Sequence, residues 1–311
     1  MPLPVFRTVP LAPDLAAALA EVPSSAGVGQ IVAPDGKNLL IGRPANLRRW
    51  AATHLGRGKP VPKGRRPPTD LSPVASAVLH AATTSAFQQR LVYERLMARY
   101  VPLSARRDLK PPAFLHLDPS ARFPRIEVRK IDDGAIGRFG PFRDRRAAEK
   151  AREVLLKRHP LRPCDYTFEP DPALPLGLGC LYAQVRTCAA PCLSRVSEAD
   201  YRALAAEVAA DLAHPSGRAA DDGLPPWVAE AGSRGVVVAP GAQGVELYPV
   251  RAGRVLDESA VAAPAEGWEA AVASLRWDDP AADERPSDWP WLTAWLSSPA
   301  GRASWRVPPP A

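Results

Sequence analysis

The spacing of hydrophobic positions changes several times along the chain, and each change predicts an element. Residues 27–32 and 38–41 are short apolar runs joined by Pro34-Asp35-Gly36, the turn chemistry of a β-hairpin. From Asn46 the period lengthens, and Leu47, Trp50, Ala51 and Leu55 fall on one helical face. Residues 57–68 are Pro-rich, basic and without period, which predicts a linker. Residues 74–81 read as a third strand. Thr84 or Ser85 then caps a helix in which Phe87, Leu91, Val92, Leu96 and Tyr100 recur at helical spacing, with Pro102 as its stop. Residues 114–117 and 125–130 predict a strand pair, and Asp133-Gly134 a turn. Asp144 opens a charged helix to Arg158, where Arg145/Glu149 and Glu153/Lys157 are spaced for ion pairs on a solvated face. Another helix is predicted over 198–213.

Beyond Pro215-Ser216-Gly217 the composition shifts. Seven of the eight tryptophans lie past residue 226, and only Trp50 precedes them. Residues 236–239 and 245–250 predict a hairpin, followed by helices over 268–275 and 289–296. Tryptophans in such a unit serve more often as core than as contact surface. The expected fold class is α+β, with a small antiparallel three-stranded sheet and its helices, a four-cysteine module, and a separate small α+β unit at the C-terminal end. The expected boundaries are a leader over 1–22, the sheet domain over 23–105 and a hairpin-and-helix connector over 106–160. The cysteine module follows over 161–215, and an acidic, Trp-rich domain over 216–311.

Charge sharpens this division. Residues 1–195 hold 31 of the 40 Lys and Arg and 16 of the 33 Asp and Glu, whereas residues 196–311 hold 9 and 17. A strongly basic first part suits a polyanion, because each phosphate neutralised releases counterions. The candidate phosphate contacts are Arg43, Arg48, Arg49, Arg57, Lys59, Lys63, Arg65 and Arg66. Hydrophobic content of 46% excludes a disordered chain. No apolar run approaches the ~20 residues of a membrane span. The first twenty residues lack the basic start of a signal peptide. These features predict a cytoplasmic protein without membrane contact.

The sharpest chemical signal is the cysteines. Cys164, Cys180, Cys188 and Cys192 are the only four in 311 residues and fall within one stretch. Four thiolates suffice for a tetrahedral zinc or an iron–sulfur cluster. Spacing does not choose between them, since only Cys188 and Cys192 stand as close as a zinc knuckle requires. Two disulfides are the competing reading and suit small secreted scaffolds. The five histidines, His54, His80, His116, His159 and His214, are dispersed and show no ligand spacing.

Several strings together resemble a known family. The segment 27–48, with Gly27-Val28-Gly29-Gln30-Ile31-Val32 and Leu39-Leu40-Ile41-Gly42-Arg43, resembles the opening of a GIY-YIG nuclease domain. Phe139-Gly140-Pro141-Phe142, Pro160-Leu161-Arg162-Pro163-Cys164 and Arg186-Thr187-Cys188-Ala189-Ala190-Pro191-Cys192 are similar to the UvrC/Cho family of excinucleases. The likeness spans residues 23–213. It implies a GIY-YIG-like sheet and a [4Fe-4S] cluster on the four cysteines, with zinc as the alternative. It implies duplex DNA as a partner, and a repair protein such as UvrB as a second. It also implies hydrolysis of a phosphodiester with one Mg²⁺ or Mn²⁺, if the nuclease site functions.

Matched residue by residue, that nuclease site is degenerate. The two motif tyrosines fall on Gly29 and Leu40, the helix arginine on Trp50, and a motif lysine on Arg43. The metal-holding glutamate falls on Tyr93 when counted back from Pro102, or on Glu94 when the apolar run 91–93 is aligned. An asparagine falls on Ala105, and a further tyrosine on His54. Without hydroxyls and guanidinium, developing charge at a phosphate has few partners. Three functions follow: a DNA-binding relative related to nucleotide excision repair and without nuclease activity, a working metal-dependent endonuclease using Glu94, or a protein-interaction scaffold.

Overall fold

In the computed structural model the described residues are 3–58, 67–118, 120–130, 137–174, 180–213, 224–225, 227–230, 234–278 and 287–308. The fold is α+β, built on antiparallel sheets. It divides into two compact units. The first holds residues 1–107, 238–248 and 257–275, and the second 108–237, 249–256 and 276–311. The residues past 237 are thus shared between the two.

In the first unit the hairpin forms as its turn chemistry dictates. Strand β2 (Gly27–Val32) pairs antiparallel with β3 (Asn38–Gly42) and with β4 (Ala77–Ala82). The expected three strands become four, in the order β1-β4-β2-β3, because β1 (Arg7–Pro10) adds to the outer edge of β4. Residues expected as a leader therefore supply a strand, and also helix α1 (Leu15–Glu21), capped by Asp14. The strand escapes sequence reading because only Val9 of its four residues is buried, so its existence depends on the ladder with β4 rather than on any alternation.

Strand β2 is buried along its whole length because helices cover both of its faces. Ile31 packs with Leu47, Ala51 and Leu55 of α2 (Leu47–His54). Val28 packs with Val92 and Leu96 of α3 (Ala86–Met97). The caps are those the sequence offers: Asn46 Oδ1 accepts from Arg49 N–H at 2.8 Å, and Ser85 Oγ from Gln88 N–H at 3.0 Å. Such caps are worth about 1 kcal/mol each. Helix α3 stops at Met97, short of Pro102, and Tyr100 lies outside it, its hydroxyl accepting from Gln30 Nε2 at 2.8 Å.

The second unit carries a sheet in the order β6-β5-β7-β8. Its strands are β5 (Ala113–Leu117), β6 (Ile126–Arg129), β7 (Arg138–Phe142) and β8 (Ala229–Glu230). Helix α4 (Arg145–Arg158) is capped by Asp144 and buries Ala148, Ala151 and Leu155, at helical spacing, against this sheet. Its charged face stays solvated, and Arg145 meets Glu149 there at 3.2 Å. The predicted Asp133-Gly134 turn lies outside the described residues. After the cysteine stretch, α6 (Glu198–Ala213) buries Tyr201, Ala205, Val208 and Leu212. The Tyr201 hydroxyl accepts from Arg162 N–H at 2.7 Å and donates to the Pro124 carbonyl at 3.2 Å.

The later hairpin also forms, as β9 (Arg234–Gly241) and β10 (Gly244–Arg251), within a five-stranded sheet. The helix expected over 268–275 is a single turn, Glu269–Val272, while Trp289–Leu296 is helical as expected. Trp227, Trp289, Trp291 and Trp305 are buried, the core role expected of this composition.

Candidate functional site

The four cysteines sit on irregular backbone. Cys164 lies in the extended segment after α4, Cys180 precedes the short helix α5 (Leu181–Gln184), and Cys192 lies in the 3-10 turn Pro191–Leu193. Three non-glycine residues, Arg186, Ala190 and Ser194, have φ of 58°, 55° and 53°. Left-handed backbone at such residues is uncommon and costs about 1 kcal/mol or more each. It is concentrated here on either side of Cys188 and Cys192. All four sulfurs are free thiols, which leaves the disulfide reading without support.

Cys188 is buried, and its sulfur accepts from Ala190 N–H at 3.3 Å. Burial pushes its thiol up to about 11, and the three other thiols push it in the same direction. Cys192 is raised too, by burial and by Cys180 and Cys164. Negative charge on the neighbouring sulfurs thus opposes ionisation of Cys188 and Cys192, and a cation among them would reverse that. The donor set is therefore chemically suited to a metal or cluster. Among the described residues, however, no three of His, Cys, Asp and Glu are gathered closely enough to hold a metal ion.

The nuclease-like residues are divided between the two faces of the first unit's sheet. Gly29, Leu40 and Trp50 lie on the α2 face. Gly29 pairs with Gly42 across β2 and β3, and the Trp50 indole lies over both. A Cβ built on Gly29 would stand 2.4 Å from the Trp50 ring, and one on Gly42 2.7 Å. The two glycines are thus the floor of a slot that the indole fills. His54 meets the Trp50 ring edge-on, with centroids 5.7 Å apart.

Tyr93 and Glu94 belong to α3, and Tyr93 packs with Val28 and Ile41 on the opposite face. The guanidiniums of Arg43 and Arg106 lie over the Tyr93 ring at 5.7 and 5.8 Å. Glu94 is buried. Its two carboxylate oxygens accept from Arg106 at 2.9 and 3.3 Å, and Arg90 reaches Oε1 at 2.7 Å. Both oxygens are occupied by cations of the chain itself. Ala105 lies in the 3-10 turn Leu103–Ala105 just before Arg106 and offers no donor.

Residues 113–211 match the family described as UvrC/Cho excinuclease, middle domain. Over that stretch the chain carries a UvrC/Cho middle domain. It is similar to UvrABC system protein C of Rhodospirillum rubrum, 31% identical over 208 residues, which is 64% of this chain and 30% of that one. The same protein of Legionella pneumophila (strain Paris) is 25% identical over 196 residues, 62% of this chain and 30% of that protein. The matched part spans less than a third of these curated relatives' length. No solved structure matches.

Within the UvrC/Cho middle domain, residues that sequence reading passed over hold the backbone around Cys164. Arg162 donates to the carbonyls of Phe123 at 2.8 Å, Tyr166 at 2.7 Å and Cys164 at 3.4 Å, and lies over the Phe168 ring. Arg125 also reaches the Cys164 carbonyl, at 3.4 Å. The signal was present, since Arg162 stands two residues before Cys164 in one of the family-like strings. What could not be read was that its fork ties loop carbonyls rather than phosphate. Similarly, Arg48 directs its guanidinium at the carbonyls of Val22 and Ala20 at the C-terminal end of α1. Arg43, Arg49 and Arg57 are exposed, while Lys59, Lys63, Arg65 and Arg66 lie outside the described residues. Among the described residues no helix is long and apolar enough to cross a membrane.

Proposed function

We propose that this UvrC/Cho relative is a DNA-binding protein related to nucleotide excision repair that does not itself cut DNA. The observation that carries the reading is the filled slot. Where a nuclease of this type needs hydroxyls and a cation facing open solvent, the indole of Trp50 lies on bare glycine backbone. Glu94 is held by Arg106 and Arg90, so a divalent cation would have to displace two guanidiniums to reach it. Loss of one transition-state donor costs about 10²–10³ in rate, and several are missing together.

Affinity for duplex DNA would come from the basic part, with Arg43, Arg49 and Arg57 exposed and the 59–66 segment adding four cations. Cys164, Cys180, Cys188 and Cys192 would hold a [4Fe-4S] cluster, which when bound ties four points of irregular backbone together. A repair protein such as UvrB is the partner this reading proposes. The test is a nicking assay on damaged and undamaged duplex in Mg²⁺ and in Mn²⁺, paired with a binding assay. Binding without incision is expected. Metal-dependent incision that Glu94→Gln abolishes would restore the endonuclease.

A further inference from the structure

Among the described residues of the first unit three carboxylates are buried: Glu94, Asp257 and Glu246. Two have cationic partners. Glu94 is paired with Arg106 and Arg90, and Asp257 with Arg95 at 3.0 Å. Glu246, on β10 and 3% exposed, has none among the described residues. It accepts instead from three neutral donors, Thr84 Oγ1 at 2.8 Å, the Tyr248 hydroxyl at 2.6 Å and Gln88 Nε2 at 3.5 Å. The Gln88 amide is oriented for this, because its oxygen accepts from Thr84 N–H at 3.0 Å.

An ionised carboxylate withdrawn from water costs several kcal/mol unless a cation or full hydrogen bonding compensates. Three donors satisfy part of its capacity of about four lone-pair sites and cancel none of its charge. Glu246 also lines a cavity of about 630 Å³ within the same unit. Thr84 and Gln88 join it on the wall, and Ala82, Ala262 and Pro264 supply small apolar surface. A concave, largely apolar space with a few convergent polar groups is the usual form of a small-ligand site.

We infer that this cavity binds a small organic cation, an alkylguanidinium or alkylammonium, with its charged head on Glu246 and its apolar stem along the alanine and proline wall. The neutral donors hold the carboxylate in one orientation and leave the positive charge to the ligand. Anions are repelled by the same carboxylate, and neutral alcohols gain only the wall. The inference is independent of the DNA-binding reading and stands or falls separately from it.

The test is calorimetric titration of the full chain with n-butylguanidinium and n-butylammonium, against n-butanol and butyrate as neutral and anionic matches. Saturable 1:1 binding of the cations is expected, weakened about tenfold or more by Glu246→Gln, which keeps the shape and removes the charge. Ala262→Trp, at the position directly opposite Glu246 on the adjoining strand, fills the cavity while keeping the carboxylate, and should abolish binding while circular dichroism and the melting transition stay as in the parent. If Glu246→Gln does not fold, the Ala262 variant decides alone. No saturable binding of either cation up to about 10 mM overturns the inference, as does equal binding of butanol or unchanged binding in a folded Ala262→Trp.

Discussion

Around Cys188 the polypeptide gives up regular structure and presents heteroatoms, whereas around Gly29 it keeps regular structure and closes space. The cysteine stretch places three left-handed non-glycine residues and two arginines that tie carbonyls near four thiols. The sheet of the first unit does the reverse. Its glycines meet an indole, and its one carboxylate at a nuclease-like position is neutralised by guanidiniums. Left-handed backbone at such residues persists only where the surrounding structure over-determines it, and here it flanks the thiols. A slot filled by an aromatic ring points to stability. One likeness to a family can therefore imply chemistry in one region and only a scaffold in another.

The largest effect expected to sharpen this contrast is in the cysteine stretch. Protein prepared without air should carry about four iron and four sulfide per chain, and Cys188→Ser should reduce both to near zero and make residues 161–195 readily cleaved by protease. Stoichiometric zinc with no sulfide would break the cluster side of the comparison. In the metal-free protein the sign of the Cys188 shift sets a pH dependence. The folded state holds that proton more tightly than the unfolded chain, so its contribution is complete below 9.0 and is lost as pH rises through about 11. Denaturant midpoints at pH 8 and pH 10.5 would show the fall.

On the other side, Glu94→Gln should lower stability by about 3 kcal/mol, because it leaves buried Arg106 without its anion. An unchanged melting transition would mean that the carboxylate is free for other work. Trp50→Ala should cost about 2 kcal/mol through the space opened over Gly29 and Gly42. Gly29→Tyr alone should destabilise strongly, and Gly29→Tyr with Trp50→Arg should recover most of that loss. A double-mutant cycle reads the coupling, and additive effects would dismiss the slot. The smallest effect lies in the basic segment. Arg65→Ala with Arg66→Ala should flatten the log K against log[salt] slope for duplex DNA by about 0.9 per lost contact.

How much of this was legible varies with the range of the interaction that decides it. Helices α2, α3, α4 and α6 were read from period and caps, and the two hairpins from turn residues, because those signals act within one or two turns of chain. The cysteines were legible as a set because they cluster in sequence. The fourth strand was not, since Arg7–Pro10 is held by partners about seventy residues away in β4. Nor was the fate of Glu94. Its residue type suggested a metal ligand, but Arg106 lies twelve residues on, past a turn whose direction no local pattern encodes.

The amino-acid sequence by itself determined the local elements, the charge division and the donor set, all of which depend on residue type and near neighbours. Only the tertiary structure decided which donors are occupied. Trp50 had to be brought over Gly29 by helix packing, and Glu246 to Thr84 and Gln88 across some 160 residues. Such pairings are selected by the simultaneous packing of whole elements, and no window of sequence contains that information.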